Sequence, residues 1–281
     1  MRIIKTVKTL RKRINLLSQS PIGFVPTMGA LHEGHLSLVS YAVKQCPAVV
    51  VSIYVNPTQF NDREDLKNYP RTPVEDIGML LSVMRKDDIV FLPSDKEIYP
   101  KVDKRIFSFG NLDNVMEALH RPGHFNGVAQ VVSRLFDLVE PDIAYFGKKD
   151  YQQLAVIREL VCQTNRDITI VGLPTVREQD GLAMSSRNMY LTESDREVAL
   201  CLSRALRAGG EAAAFGPSAI RRAAREVLVE EPLALVDYLV LVHPHTLADV
   251  PEWYRGEALL AVAARVGTTR LIDNMACRLG S

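Results

Sequence analysis

With 281 residues, 47% of them apolar, the chain can bury one large core or two modest ones. Lys and Arg number 34 against 33 Asp and Glu, a formal charge of +1, which gives no global field for nucleic acid or an anionic membrane and confines any anion binding to local sites. The four cysteines, Cys46, Cys162, Cys201 and Cys277, are scattered without Cys-x-x-Cys spacing, which argues against a zinc cluster and for free thiols in a reducing compartment. No apolar run nears the roughly 20 residues of a membrane span, and the first residues carry no apolar signal-peptide core, so a cytoplasmic, globular protein is expected.

In chain order, residues 22–25 form a short apolar run suited to a buried strand, and Pro26 and Gly29 punctuate it. Leu36, Val39 and Val43 then recur at helical spacing. A β-branched run over 48–55, stopped by Asn56-Pro57, reads as a central strand. Helices near 74–84, 128–139 and 151–164 alternate with strands at 88–92, 142–146 and 168–171. This alternation predicts an α/β fold, a doubly wound parallel sheet with helices on both faces. The longest irregular stretch is 93–112, and loops of that length are often functional. After about residue 187 the pattern changes to two alanine-rich helices, 193–214 (with Gly209-Gly210 fraying it) and 217–230, and strands at 236–242 and 258–266. The expectation is a first domain over 1–183, followed by a smaller C-terminal α+β domain over 184–281.

Ligands of such sheets bind at the carboxyl ends of the strands, which places 26–35, 56–60 and 147–150 at one rim. Within the first segment, His32 and His35 stand at His-x-Gly-His spacing where strand becomes helix. Helix N-termini offer unsatisfied N–H groups and a positive dipole end, so two imidazoles there read as a phosphate cradle. A metal site would need further ligands. Gly29 and Gly34 have P-loop spacing, but His35-Leu36 follows where that motif needs Lys and Ser/Thr. In Asn56-Pro57-Thr58-Gln59-Phe60 the amide of Gln59 suits a small polar substrate, with an ordinary Asn-Pro turn as the alternative. Gly147-Lys148-Lys149-Asp150 ends a strand with a mobile cation and a capping or ribose-binding acid, and Gln153 follows one turn on. Met184-Ser185-Ser186-Arg187 supplies two hydroxyls and a guanidinium for phosphates, or a cap for the next helix. Arg121-Pro122-Gly123-His124 adds a cation and an imidazole on a turn, with a packing role as the equal alternative. Asp76, beside Glu75, either holds magnesium or starts a helix; the sequence favours the helix start. Together these describe an ATP site without a Walker lysine, suited to attack on the α-phosphate by positioning and electrostatic stabilisation.

PTMGALHEGH, NPTQF, YPRTP, RPGHFNGV, FGKKDYQQL, GLAMSSRNMYL and LIDN, in this order, resemble the pantoate–β-alanine ligases of the HxGH nucleotidyltransferase superfamily. The resemblance implies a Rossmann-like domain with a smaller C-terminal domain, commonly in a homodimer. It implies ATP and Mg2+ as requirements, a pantoyl adenylate intermediate, and displacement of AMP by β-alanine to give pantothenate. Met28, Gly29, Ala30, Leu31, His32, Glu33, Gly34 and His35 would contact ATP, with His35, His32, Lys149, Ser185, Ser186 and Arg187 carrying the chemistry. Gly147, Lys148, Lys149, Asp150, Val176 and Met184 to Arg187 would complete the nucleotide site. Gln59 and Gln153 would bind pantoate, Gln59 also β-alanine; Arg121 and His124 would line the site, and Asp76 would stand near the metal. Two positions depart from the family pattern: Lys148, where an acid or Gln is usual, and Ala118, where Gly is common. The other functional readings are a cytidylyl- or adenylyltransferase with another acceptor, which the two glutamine motifs disfavour, and a tRNA-binding or catalytically silent nucleotide-binding module, whose tRNA version the charge balance disfavours.

Overall fold

The computed structural model describes residues 1–17 and 21–280. Among them, nine strands form two sheets. The first sheet is wholly parallel, in the order β1 (Arg2–Ile4), β4 (Ile89–Phe91), β3 (Ala48–Ile53), β2 (Ile22–Thr27), β5 (Ile143–Gly147), β6 (Thr169–Leu173). Its helices are α1 (Val7–Ile14), α2 (Glu33–Gln45), α3 (Arg63–Asn68), α4 (Pro73–Leu81), α5 (Asp95–Ile98), α6 (Glu117–His120), α7 (His124–Val139) and most of α8 (Tyr151–Gln163). The second sheet is an antiparallel meander of β7 (Ala234–Val242), β8 (Gly256–Val266) and β9 (Thr269–Leu279), packed by α9 (Glu193–Glu211) and α10 (Pro217–Val229). The doubly wound α/β expectation and the smaller α+β domain are both present.

Residues cluster into two compact units: 1–113, 117–148 and 153–174 in the first, and 114–116, 149–152 and 175 onward in the second. In the first unit β3 is buried along its whole length, as its Ala-Val-Val-Val-Ser-Ile run requires of a central strand. Alternate residues of β2 face opposite layers. Val25 joins Leu36, Val39, Val51, Leu80 and Val90 in one core cluster, while Phe24 meets Phe136 of α7 edge-on, with ring centroids 6.2 Å apart. Strand order reverses between β2 and β5, which pair only at Gly23↔Ile143 and Phe24↔Ala144 among the described residues. Pro26 lies just beyond, with no N–H to continue a ladder. The carboxyl ends of these two strands therefore part at the topological switch point, where such sheets take their ligands.

Three local features differ from the sequence expectation. β1 and α1 fall outside the predicted elements; α1 buries Leu10 alone, so it carries little apolar signal. β9 lies where no strand is predicted, yet it pairs with β8 from Gly256↔Leu279 to Val266↔Thr269. Gly209 and Gly210 do not fray α9, which runs on to Glu211. A Cβ on Gly209 would come within 2.5 Å of Leu260 on β8, so the missing side chain is what lets helix and sheet approach.

Candidate active site

The loop from β2 to α2 is built to hold two imidazoles at a helix N-terminus. Gly29 (φ +85°) and Ala30 (φ +48°) both take left-handed backbone, and a Cβ on Gly29 would stand 2.9 Å from Asp76 Oδ2, so this position admits glycine. Thr27 Oγ1 donates to Ser52 O (2.7 Å) and accepts from Gly29 N (3.2 Å), tying the start of the loop to β3. His32 is the N-cap of α2 and His35 its third residue, and together they form a capping box. Gly34 N donates to His32 Nδ1 at 3.2 Å, and His32 N donates to His35 Nδ1 at 3.3 Å. A ring nitrogen that accepts from a backbone N–H carries no proton, so both neutral imidazoles hold theirs on Nε2. The rings lie 4.1 Å apart between centroids, tilted by 44°. The chain itself thus fixes two adjacent Nε2–H donors at the positive end of the α2 dipole, an arrangement that stabilises anionic oxygens.

Asp76 enters this loop from α4. Its carboxylate, 1% exposed, accepts from Leu31 N (2.8 Å) and the Thr72 hydroxyl (3.2 Å) at Oδ1 and from Ala30 N (3.1 Å) at Oδ2. Asp76 thus lies in the first turn of α4, the placement that the sequence favours, and its carboxylate is engaged by the left-handed backbone of the His-x-Gly-His loop. Among the described residues no group of three or more His, Cys, Asp or Glu is arranged to hold a metal ion.

Gln59 ends a 3-10 turn, Pro57–Gln59, that follows β3, and it is 6% exposed. Its Nε2 donates to Met28 Sδ (2.9 Å) and its Oε1 accepts from Asn56 Nδ2 (3.3 Å), which orients the amide. Asn56 Nδ2 also donates to Gly127 O (3.0 Å), and Asn56 Oδ1 accepts from Tyr99 Oη (3.0 Å). Burial raises the Tyr99 pKa, keeping the phenol protonated as that donor. His124, expected from sequence on a turn, is instead the first residue of α7, because Gly123 takes φ +79° and ends the turn one residue earlier. Its Nδ1 donates to Gln59 O (2.8 Å), so its neutral ring accepts from Arg121 Nη1 through Nε2 (3.1 Å). The first unit therefore brings Met28 to His35, Gln59, Asp76, Arg121 and His124 into one connected network. Gly147 closes β5 at the same sheet rim, Lys148 is exposed, and Gln153 is half-buried on α8.

The second unit carries the other expected residues. Lys149 Nζ lies 3.5 Å from Asp150 Oδ1, and the Lys149 carbonyl accepts from Asn274 Nδ2 (2.8 Å). Val176 O accepts from Met184 N (3.0 Å), closing a short hairpin. Ser185 caps the 3-10 turn Ser186–Tyr190 by accepting from Arg187 N, whereas α9, the helix the sequence offers it as a cap for, is capped by Thr192. Asn188 Nδ2 donates to Glu178 Oε1 (2.8 Å), bracing the hairpin further. Two members of the Gln59 network escape sequence reasoning: Asn56 reads only as a turn residue, and Tyr99 lies in the irregular 93–112 stretch without any periodic signal.

The pantoate-beta-alanine ligase family model matches residues 2–276. This chain belongs to the pantoate–β-alanine ligase family. A pantothenate synthetase of Porphyromonas gingivalis is 45% identical over 98% of this chain and 99% of its own length, and one from Mycolicibacterium smegmatis is 50% identical over 99% and 85%. Among solved structures, a pantothenate synthetase from Thermus thermophilus aligns with TM-score 0.92 at 45% identity, covering 98% of this chain and 99% of its own. A Francisella tularensis pantoate–β-alanine ligase, described as complexed with β-γ ATP and β-alanine, aligns with TM-score 0.81 at 36% identity, covering 98% and 97%. Family membership makes the chain a ligase of the amide-forming class.

Proposed function

We propose that this enzyme joins pantoate to β-alanine with consumption of ATP in two steps. A pantoate carboxylate oxygen attacks the α-phosphorus and the bond to the β-phosphate bridge breaks, giving pantoyl adenylate and diphosphate. The β-alanine amine then attacks the acyl carbon, loses a proton, and expels AMP. The observation that carries this reading is the pair of backbone-fixed Nε2–H donors of His32 and His35 at the N-terminus of α2. Charge accumulates on phosphoryl oxygens in the first step, and donors already oriented need no reorganisation as it develops.

In this reading Met28 to His35 cradle the triphosphate, and Lys149, Ser185, Ser186 and Arg187 supply the remaining cation and hydroxyl contacts. Gly147 to Asp150, Val176 and Met184 hold the nucleotide. Gln59 presents its amide N–H to pantoate and later to β-alanine, Gln153 binds pantoate, and Arg121 and His124 line the pocket while His124 fixes the Gln59 backbone. Magnesium would enter with the triphosphate and supply charge neutralisation there, with Asp76 near it while its carboxylate holds the backbone of Ala30 and Leu31. A homodimer in the cytoplasm completes the proposal. None of the helices is long and apolar enough to cross a membrane among the described residues.

The test is mass-spectrometric analysis of products from purified enzyme with ATP, magnesium and pantoate, with and without β-alanine. Pantoyl adenylate and diphosphate are expected without the amine, pantothenate and AMP with it. Intact ATP in both tubes, or adenylylation of another acceptor in preference to pantoate, would overturn the proposal.

A further inference from the structure

Two consecutive residues of β9, Asp273 and Asn274, hold the two segments of the second unit that carry its expected ATP-side groups. Asp273 is 4% exposed, paired in register with Val262 in the middle of the meander. Arg177 forks onto it, Nη1 donating to Oδ2 at 2.6 Å and Nη2 to Oδ1 at 3.0 Å. The same guanidinium donates to the carbonyls of Gly181 (3.1 Å) and Asn274 (3.4 Å). Arg177 therefore closes the hairpin in which it bridges to Ala183, and in which Glu178 N donates to Leu182 O and Met184 N to Val176 O. That hairpin leads without a break into Met184 to Arg187. The next residue on the strand, Asn274, donates from Nδ2 to the Lys149 carbonyl (2.8 Å) and from its backbone N to Asp273 Oδ1 (2.7 Å).

A buried ion pair is an inefficient way to gain stability, because desolvation consumes most of the Coulombic gain and a well-packed apolar pair does as well. What the fork adds is direction: a planar, bidentate contact fixes the guanidinium in orientation as well as position. Here that fixed guanidinium sets the register of the hairpin against β9.

We propose that Asp273 and Asn274 are positioning residues for adenylation, Asp273 acting through Arg177 on Met184 to Arg187 and Asn274 through the main chain of Lys149. The inference rests on the reading that these groups serve ATP. It separates the two half-reactions: loosening either anchor harms the ATP-dependent step and spares the attack of β-alanine on an adenylate already made.

The experiment compares Asp273→Asn, Asn274→Asp, Lys149→Ala and Arg187→Ala in the full-length enzyme. Asn274→Asp keeps the shape of a half-buried side chain and removes its N–H donor, and urea unfolding of each variant separates loss of the anchor from loss of the fold. Diphosphate release reports adenylation, and pantothenate formation from supplied pantoyl adenylate and β-alanine reports the second step. Asp273→Asn and Asn274→Asp are expected to lose about tenfold or more in kcat/KM for ATP while keeping the second step within about threefold. If Lys149→Ala and Arg187→Ala adenylate normally, the ATP-side reading falls and takes this inference with it. If those two fail while both β9 variants adenylate within about threefold of the parent, only the positioning role is refuted. Equal loss of both steps in the β9 variants, tracking loss of folded protein, also refutes it.

Discussion

Replacing Asp76 tests whether this acid holds a loop or a metal. In Asp76→Ala the backbone N–H groups of Leu31 and Ala30 lose their acceptors, at 2.8 and 3.1 Å, and the Thr72 hydroxyl loses a third contact. Hydrogen bonds to a charged group contribute about 1.5–3 kcal/mol each, and a buried donor left unsatisfied costs about 1–3 kcal/mol. Leu31 is buried, whereas Ala30 is half-buried and can recruit water. The two backbone contacts therefore give an expected destabilisation of about 3–4 kcal/mol, a large share of the ~5–15 kcal/mol typical of a folded domain. Asp76→Asn keeps the volume and one acceptor but turns an NH2 group toward a backbone N–H, for about 2–3 kcal/mol. Urea unfolding measures the stability, and diphosphate release at varied magnesium measures the chemistry. The loop with His32 and His35 shifts in both variants, so kcat/KM for ATP should fall by about 10- to 100-fold with the apparent magnesium affinity unchanged within about twofold. A loss of stability below about 1 kcal/mol, together with magnesium affinity weakened by about tenfold, would refute the loop role and restore the acid as a metal ligand.

His35→Asn places an amide oxygen near the position of Nδ1 and deletes the Nε2–H. Unfolding free energy should stay within about 1 kcal/mol while adenylation drops by about 100-fold or more, close to 2.7 kcal/mol of barrier; retained turnover would show that the ring serves only as a cap. Gly127→Ala would set a methyl against Thr58 O and 2.7 Å from Gln59 Cα, pushing the Asn56 to Gln59 turn off α7. A cost of about 1–3 kcal/mol by chemical denaturation and a raised KM for pantoate are expected, and wild-type values for both would disprove the close packing. Thiol titration at pH 8 should find Cys162, which is exposed, reacting promptly, with Cys46, Cys201 and Cys277 reacting only on unfolding. Burial pushes the Cys201 thiol up to about 11, so its thiolate is scarce at that pH; four promptly reacting thiols in the folded protein would contradict this.

Much of the first unit is legible in the sequence because its signals are local. The apolar runs of β2, β3 and β5 and the helical spacing of α2 follow from burial, and the punctuation at Pro26, Gly29 and Asn56-Pro57 marks the sheet rim. Spacing alone places His32 and His35 at a helix start. Their tautomers are not legible, because these depend on which backbone N–H groups turn toward Nδ1 after the loop takes its left-handed path. Asp76 shows the same limit: an acid in the first turn of a helix is readable from sequence, but its contacts with Ala30 and Leu31 span more than forty residues of chain. So do the contacts of Tyr99 with Asn56, of Arg177 with Asp273 and of Asn274 with Lys149, which no periodicity encodes. Residue type and spacing thus determined the fold class, the family and the identity of the candidate chemical groups. Tertiary structure decided what each polar group is bound to, because a hydrogen bond is satisfied by whatever partner folding brings within about 3 Å, however distant in sequence.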